Sequence, residues 1–480
     1  MSASQTFSAQ ARVSQLRELA RAPHQGIYLT GPDQIELKTD ELPKDCFDGK
    51  NFLLASFGNC RCASDAKAIR QFDGHARVPS GTDQVALGHE TLQLVLDAPE
   101  ESHFQSGDLV VVTPGHASEP IDPQSFEPEK SGVLAALGYS YRYLGGLRQF
   151  NTVPGKASEF VKSQGFGNLF NKAVPKTDTS LISLAHAEPF ACNYGTNKNI
   201  FTLDADGRFR YGVPPRSIVT YLSGTARMAM INLTIVASVP DDQLPCVVYV
   251  TGSQAKLDEM DSYALVEDLR ARGTRVVLID RKDPDIIDKL TEYGKSEVVW
   301  TNYASKETYD QAVAILAEGG NLNSYAGAVD PDLLIRMPVS QAQRFGSSKE
   351  EAEAQFEAMH HNLAPNDPNR FRGLAREPKV GLVGFEEGSE REQAYLDLIP
   401  SGTPVFRSGS TELSQGHEAL SEDDLVTDLF IAGTGEEAAQ AYEFWESRLA
   451  RSAAVNFVDG EVVVPIRSRQ AHYVSRHQIC

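Results

Sequence analysis

The spacing of apolar positions changes twice along the chain, and each change predicts a different kind of element. In residues 4–22, Val13, Leu16 and Leu19 recur at helical spacing, predicting a short amphipathic helix that serves as a packing or subunit-contact extension. From Gly26 to Gly115 the pattern is one of short apolar runs, such as Phe52-Leu53-Leu54-Ala55 and Leu109-Val110-Val111-Val112. Gly, Pro, Asp and Asn interrupt them, which predicts an irregular β-rich domain. Residues 115–180 read as loop-like and hold Tyr139, Tyr141, Arg142 and Tyr143. Unstructured stretches of that length are uncommon in one domain, so some strand content and a site-lining role are expected.

From about residue 215 the runs become β-branched and continuous: 217–222, 246–251, 275–280, 297–301 and 379–385. Continuous rather than alternating runs mark strands buried on both faces. Helical patterns fill the intervals at 226–238, 255–272, 283–294 and 305–318, with a further one at 349–362. Strand alternating with helix predicts right-handed crossovers and a doubly wound parallel sheet, so the fold class is α/β. A helix at 435–450 and a terminal strand from Glu461 follow, and this tail is expected to return to the first domain.

Length and charge narrow the field. The 480 residues correspond to roughly three average domains. A net charge of −20 argues against a nucleic-acid or anionic-membrane binder. No run of 18 apolar residues is present, so no membrane span is expected. The first 25 residues lack the apolar stretch of a secretory signal. Six cysteines are too few for a disulfide scaffold of this size, so a reducing cytoplasm is the expected compartment.

Three short segments carry metal-ligand chemistry: Asn59-Cys60-Arg61-Cys62-Ala63-Ser64-Asp65, Gly88-His89-Glu90, and His186-Ala187-Glu188-Pro189-Phe190-Ala191-Cys192. Each alone is weak. Together a thiolate, an imidazole and a carboxylate would hold a tetrahedral Zn²⁺ by three donors and leave its fourth position open.

The ordered series Cys62-Ala63-Ser64-Asp65, Gly88-His89-Glu90, Gly107-Asp108-Leu109-Val110-Val111 and Glu188-Pro189-Phe190-Ala191-Cys192 resembles the zinc-type medium-chain dehydrogenase/reductases. It is most similar to their polyol and sugar-phosphate branch, which includes sorbitol dehydrogenase and L-sorbose-1-phosphate reductase. The likeness runs over about residues 25–330 and is loose beyond them. It implies an N-terminal extension (1–24), a GroES-like catalytic domain (25–205 and 390–480) and a Rossmann dinucleotide-binding domain (206–389). Carried over position by position, it implies Cys62, His89 and Glu188 as zinc ligands. Asp65 would orient His89, Ser64 would relay the substrate proton, and Glu90 would stand behind the ligands or ligate transiently. Relatives with a second, structural zinc carry a cysteine cluster after the Gly-Asp segment. Residues 107–191 contain no cysteine, so one catalytic zinc and no structural zinc is expected. A small polar substrate and a homodimer or homotetramer are likewise implied.

The nucleotide segment is Gly224-Thr225-Ala226-Arg227-Met228-Ala229, placed where a strand turns into a helix. Ala226 and Ala229 stand where the dinucleotide fingerprint has its second and third glycines, and a methyl at 226 crowds a pyrophosphate. Arg227 and the helix N-terminus supply compensating positive charge. At the end of the next strand, Gly252, Ser253 and Lys256 occur without an acidic residue, which favours NADP(H) slightly over NAD(H). Two other readings stay open: an epimerase or lyase that uses its nicotinamide transiently, and a redox-silent nucleotide binder.

Overall fold

In the computed structural model of the chain, the described residues are 3–72, 78, 81–112, 144–155, 170–175, 181–198, 200–203, 209–222, 226–323, 333–339, 379–399, 401–408, 425–459 and 462–467. The chain divides into two compact units, Met1–Cys192 and Asn193–Cys480. Among the described residues no helix is long and apolar enough to cross a membrane.

The first unit is antiparallel. It opens with α1 (Ala3–Ala20), close to the helix expected from Val13, Leu16 and Leu19. Val13 and Ala20 pack with Leu53, Ala55, Leu96 and Phe150, and Arg17 pairs with Asp97 at 2.6 Å. The helix is therefore part of this unit's core. Strands β1 (His24–Gly31), β2 (Gln34–Asp40), β3 (Asn51–Cys60) and β4 (Val85–Ala86) follow, with α2 (Ala63–Gln71) between β3 and β4. Next come β5 (Glu90–Asp97), β6 (Leu109–Val112), β7 (Phe150–Pro154) and β8 (Phe170–Ala173), and last α3 (Ala187–Lys198), whose C-terminal half belongs to the second unit. Two sheets result, in the orders β2-β1-β4 and β7-β3-β5-β6-β8. This is the β-rich domain expected from the broken apolar runs. The aromatic segment with Tyr139, Tyr141, Arg142 and Tyr143 lies outside the described residues, as does the helix expected at 349–362.

The second unit starts with a small ladder, β9 (Phe201–Leu203) with β10 (Phe209–Tyr211). Its main sheet uses β11 (Ile218–Leu222), β12 (Val247–Gly252), β13 (Arg275–Asp280), β14 (Ser296–Thr301) and β15 (Leu316–Asn323). The five strands are parallel, in the order β13-β12-β11-β14-β15. Helices α4 (Ala226–Ala237), α5 (Gln254–Asp261), α6 (Ala264–Ala271), α7 (Ile286–Leu290) and α8 (Lys306–Ile315) connect them. Period-2 alternation sends Val219, Tyr221, Val248, Val250, Val298 and Trp300 to one face, against α4, α5 and α6. Leu222, Val247, Tyr249 and Val299 go to the other face, against α7 and α8. The sheet is thus doubly wound, as the continuous runs predicted. The single helix expected at 255–272 is two, because Ser262 ends α5 and Tyr263 caps α6.

The tail departs from expectation. Residues expected to rejoin the first domain build a second parallel sheet inside the second unit. Its strands are β17 (Val380–Val383), β18 (Val405–Ser408), β19 (Val426–Ile431) and β20 (Leu449–Phe457), in the order β18-β17-β19-β20. Helices α9 (Glu390–Leu398) and α10 (Gly435–Glu446) make two of the crossovers. The physical reason is burial: β19 is buried at all six positions, so it needs cover on both faces. Strands β16 (Leu334–Val339) and β21 (Val462–Arg467) pair antiparallel beside it, and α10 packs on β21.

A buried polar knot holds the β1–β2 hairpin. Asp40 bonds the Tyr28 hydroxyl and the Arg148 guanidinium, and His24 Nε2 lies 3.9 Å from the same carboxylate. His24 is 3% exposed, with its ring edge-on to Phe150 at 5.3 Å. Burial lowers the His24 pKa; the Asp40 and Glu41 charges oppose this and Arg148 adds to it. Burial alone would raise Asp40, but Arg148, Tyr28 and His24 outweigh it and hold the carboxyl below its usual range. Protonating His24 therefore favours the unfolded chain, and stability is lost as pH falls below about 6.5. The Asp40 contribution is present above its ordinary pKa and is lost only at lower pH, as its depressed pKa is crossed. His24→Gln should flatten melting temperature against pH in the first unit or so below about 6.5. An unchanged slope there would show that His24 does not set it.

Candidate metal and nucleotide sites

Strand β3 ends at Cys60, directly opposite Glu90, the first residue of β5. Two residues later Cys62 caps the start of α2, and the Asp65 carboxylate turns back to accept the Cys62 backbone N–H through Oδ2 at 3.1 Å. The other oxygen, Oδ1, lies 3.3 Å from His89 Nδ1. Asp65 therefore fixes two neighbours at once. It accepts the backbone N–H of the residue that carries the thiol, and its second oxygen makes an ion-pair contact with the imidazole.

Gly88 sets the approach to His89. Its φ of +97° is one that side chains rarely adopt, and a Cβ there would sit 2.7 Å from Asn59 Oδ1 and 3.0 Å from the Leu147 nitrogen. The Gly88 carbonyl accepts the Gly146 N–H at 2.7 Å, so the turn is pinned from both sides.

The result is a compact donor set. Single ligand atoms of Cys62, His89 and Glu90 all lie within 4.8 Å of one another. His89 and Glu90 are 3% and 1% exposed. Three donors about 2.0–2.3 Å from a tetrahedral zinc sit roughly 3.5 Å apart, so the set reaches zinc geometry with a small closure. A buried carboxylate beside an imidazole and a thiol is cation chemistry, because buried charges are paired or coordinate metals. The residues present fit one zinc.

The carboxylate that groups with the thiol and imidazole is not the one expected as ligand. Among the described residues, the group contains Glu90 and not Glu188. Glu188 is half-buried in the first turn of α3. Glu90 is adjacent to His89 and held by the β3–β5 ladder, which brings its carboxylate beside the thiol. A second contact had no signal in the sequence. The Cys60 thiol lies 3.6 Å from His186 Nε2 and 3.8 Å from Nδ1. The side chains of Ser64 and Cys192 lie outside the described part of the structure.

The nucleotide candidates all lie in the second unit. Gly224 is outside the described residues, and so is the side chain of Ala226. Ala226, Arg227 and Met228 form the first turn of α4, directly beyond β11. Gly252 ends β12, and Ser253 caps α5, in whose first turn Lys256 stands. Lys256 is exposed and bonds Glu259 at 2.9 Å, which holds its ammonium above the ordinary range. The sheet adds neighbours that chain order hides. Asp280 is in register with Gly252, and the Arg281 N–H donates to the Gly252 carbonyl at 2.8 Å.

No protein-family model matches the chain, and no curated protein matches it. Solved structures resemble it at low identity. One is an Escherichia coli oxidoreductase/dehydrogenase of unknown specificity involved in membrane biogenesis: 18% identity, TM-score 0.44, covering 64% of this chain and 78% of that one. Another is a zinc-binding dehydrogenase from Sinorhizobium meliloti bound to NADP, at 17% identity and TM-score 0.42, covering 64% and 77%. A third is a glucose dehydrogenase mutant from Haloferax mediterranei, at 18% and 0.41, covering 64% and 79%.

A cobalt titration tests the donor set. The protein should take up one Co²⁺ per chain with a thiolate charge-transfer band that Cys62→Ser abolishes. Glu90→Gln and Asp65→Asn should each weaken binding, the latter by about 10–100-fold, while Glu188→Gln should not. Loss with Glu188→Gln and none with Glu90→Gln would restore the donor set first expected.

Proposed function

We propose that the protein is a zinc-dependent oxidoreductase that moves a hydride between NADP(H) and the carbinol or carbonyl carbon of a small polar substrate. Polyols, sugars and sugar phosphates are the substrate class that the sequence resemblance implies. The observation that carries the reading is the Cys62–His89–Glu90 set, with its imidazole and carboxylate buried and Asp65 beside it. When bound, zinc supplies Lewis-acid polarisation of a substrate oxygen and the nicotinamide supplies or accepts the hydride.

The chain's own residues divide the work. Cys62, His89 and Glu90 hold the cation, and Asp65 keeps the His89 ring in position by taking its Nδ1 side. Ser64, second residue of α2, is assigned the substrate proton because it stands between the thiol ligand and the orienting carboxylate. In the second unit, the first turn of α4 receives the pyrophosphate on its backbone N–H groups. Ser253, Lys256 and Arg281 converge by backbone position on the end of β12, where a 2′-phosphate would sit, which supports NADP(H). Asp280 sits beside them and limits that preference.

Zinc-loaded protein should interconvert at least one member of a panel of polyols, sugar phosphates and their ketones, with a change in nicotinamide absorbance. Ser64→Ala should lower its turnover by about 10²–10⁴-fold and leave NADPH affinity unchanged. Cofactor bound without net turnover would favour the epimerase or lyase reading, and neither would leave a redox-silent protein.

The cofactor assignment has its own measurement. Lys256→Ala combined with Arg281→Ala should weaken NADPH by roughly tenfold or more and leave NADH within about twofold. An equal loss for both nucleotides would mean these groups do not read the 2′-phosphate. Gly252→Asp is a less clean probe, since a Cβ there meets Leu257 Cδ2 at 3.2 Å.

A further inference from the structure

Asn302 immediately follows β14, beyond the last strand residue Thr301. Its backbone N–H donates to the Leu222 carbonyl at 2.7 Å, which ties it to the end of β11. β11 and β14 are the neighbours between which the strand order reverses, since β12 and β13 lie to one side and β14 and β15 to the other. In open parallel sheets the crevice outside the strand ends at that reversal is where ligands bind.

Both polar atoms of the Asn302 side chain, Oδ1 and Nδ2, are buried and have no hydrogen-bond partner. A buried amide unmet on both sides destabilises the fold, and leucine or valine would suit a purely structural position better. Two other unmet groups on these strands, Tyr221 Oη and Trp300 Nε1, differ in place. They belong to fully buried rings stacked at 4.7 Å within the sheet's helix-covered face. Asn302 stands past the strand end, on the ligand edge.

We propose that the Asn302 amide hydrogen-bonds a ribose hydroxyl of the bound dinucleotide. This rests on the dinucleotide reading above. The chemistry selects the partner. A phosphate only accepts, so it would satisfy Nδ2 and leave Oδ1 facing negative charge. A hydroxyl both donates and accepts, matching the two unmet atoms. The residue is thus a binding residue, dispensable for folding.

The test compares NADPH with 2′-phospho-ADP-ribose, which keeps both riboses and lacks the nicotinamide. Asn302→Ala and the near-isosteric Asn302→Asp should weaken both ligands by roughly tenfold. The melting temperature of the unliganded protein should stay the same or rise, because no native hydrogen bond is lost. Parental affinity in both variants overturns the proposal. So does a lower melting temperature in the unliganded variants, which would make the amide structural. A loss confined to NADPH also overturns it, because the contact would then lie on the nicotinamide. Should the parent protein bind neither nucleotide, the dinucleotide reading itself falls, an outcome distinct from a parent that binds and variants that bind equally.

Discussion

The geometry of the first unit's site hangs on one side chain. Asp65 has two carboxylate oxygens, and each is engaged with a different piece of chain: one with the Cys62 N–H at the start of α2, one with the His89 ring at the start of β5. Neither neighbour is close to the other in sequence. A helix start and a strand start are brought together by a single group that is 7% exposed. A shorter or neutral side chain would relax both contacts together, so thiol and imidazole would lose their mutual placement in one step.

The second unit solves a different problem. Strands buried on both faces give no polar edge along their length, so polar chemistry is confined to where they end. Helix starts, Gly252, Arg281 and Asn302 all gather at those ends. The second parallel sheet obeys the same rule, with every position of β17 and β19 buried.

What the sequence disclosed follows the range of the forces involved. Local periodicity announced α1, α4, α8 and α10 and strands β11 to β14 of the first parallel sheet, but not β15, because burial of one stripe or of both faces leaves its mark within ten residues and β15 is only half-buried. The approach of Cys62, His89 and Asp65 to one another was legible because the motif spaces them closely along the chain. The closeness of Glu90 to that pair was not, since Glu188 is equally carboxylic and the β3–β5 register has no local trace. The pairing of Cys60 with His186 spans 126 residues and has no local trace. The tail's second parallel sheet left no such mark, because continuous apolar runs say that a strand is covered, not by which unit. Arg281 was hidden for a simpler reason: it lies one strand over from Gly252, a neighbour only through the ladder.

The stacked Trp300 gives the molecule a built-in reporter. The chain has two tryptophans, and each is fully buried in a different parallel layer: Trp300 in β14 of the first sheet, Trp445 in α10 against the second. Native emission is therefore the sum of two indoles shielded from water, one quenched or shifted by a tyrosine ring lying nearly flat against it. Opening of either layer exposes only its own indole. The optical signal of this protein thus separates into two channels. With Trp445 replaced by phenylalanine, the remaining tryptophan light comes from the strand that Asn302 follows.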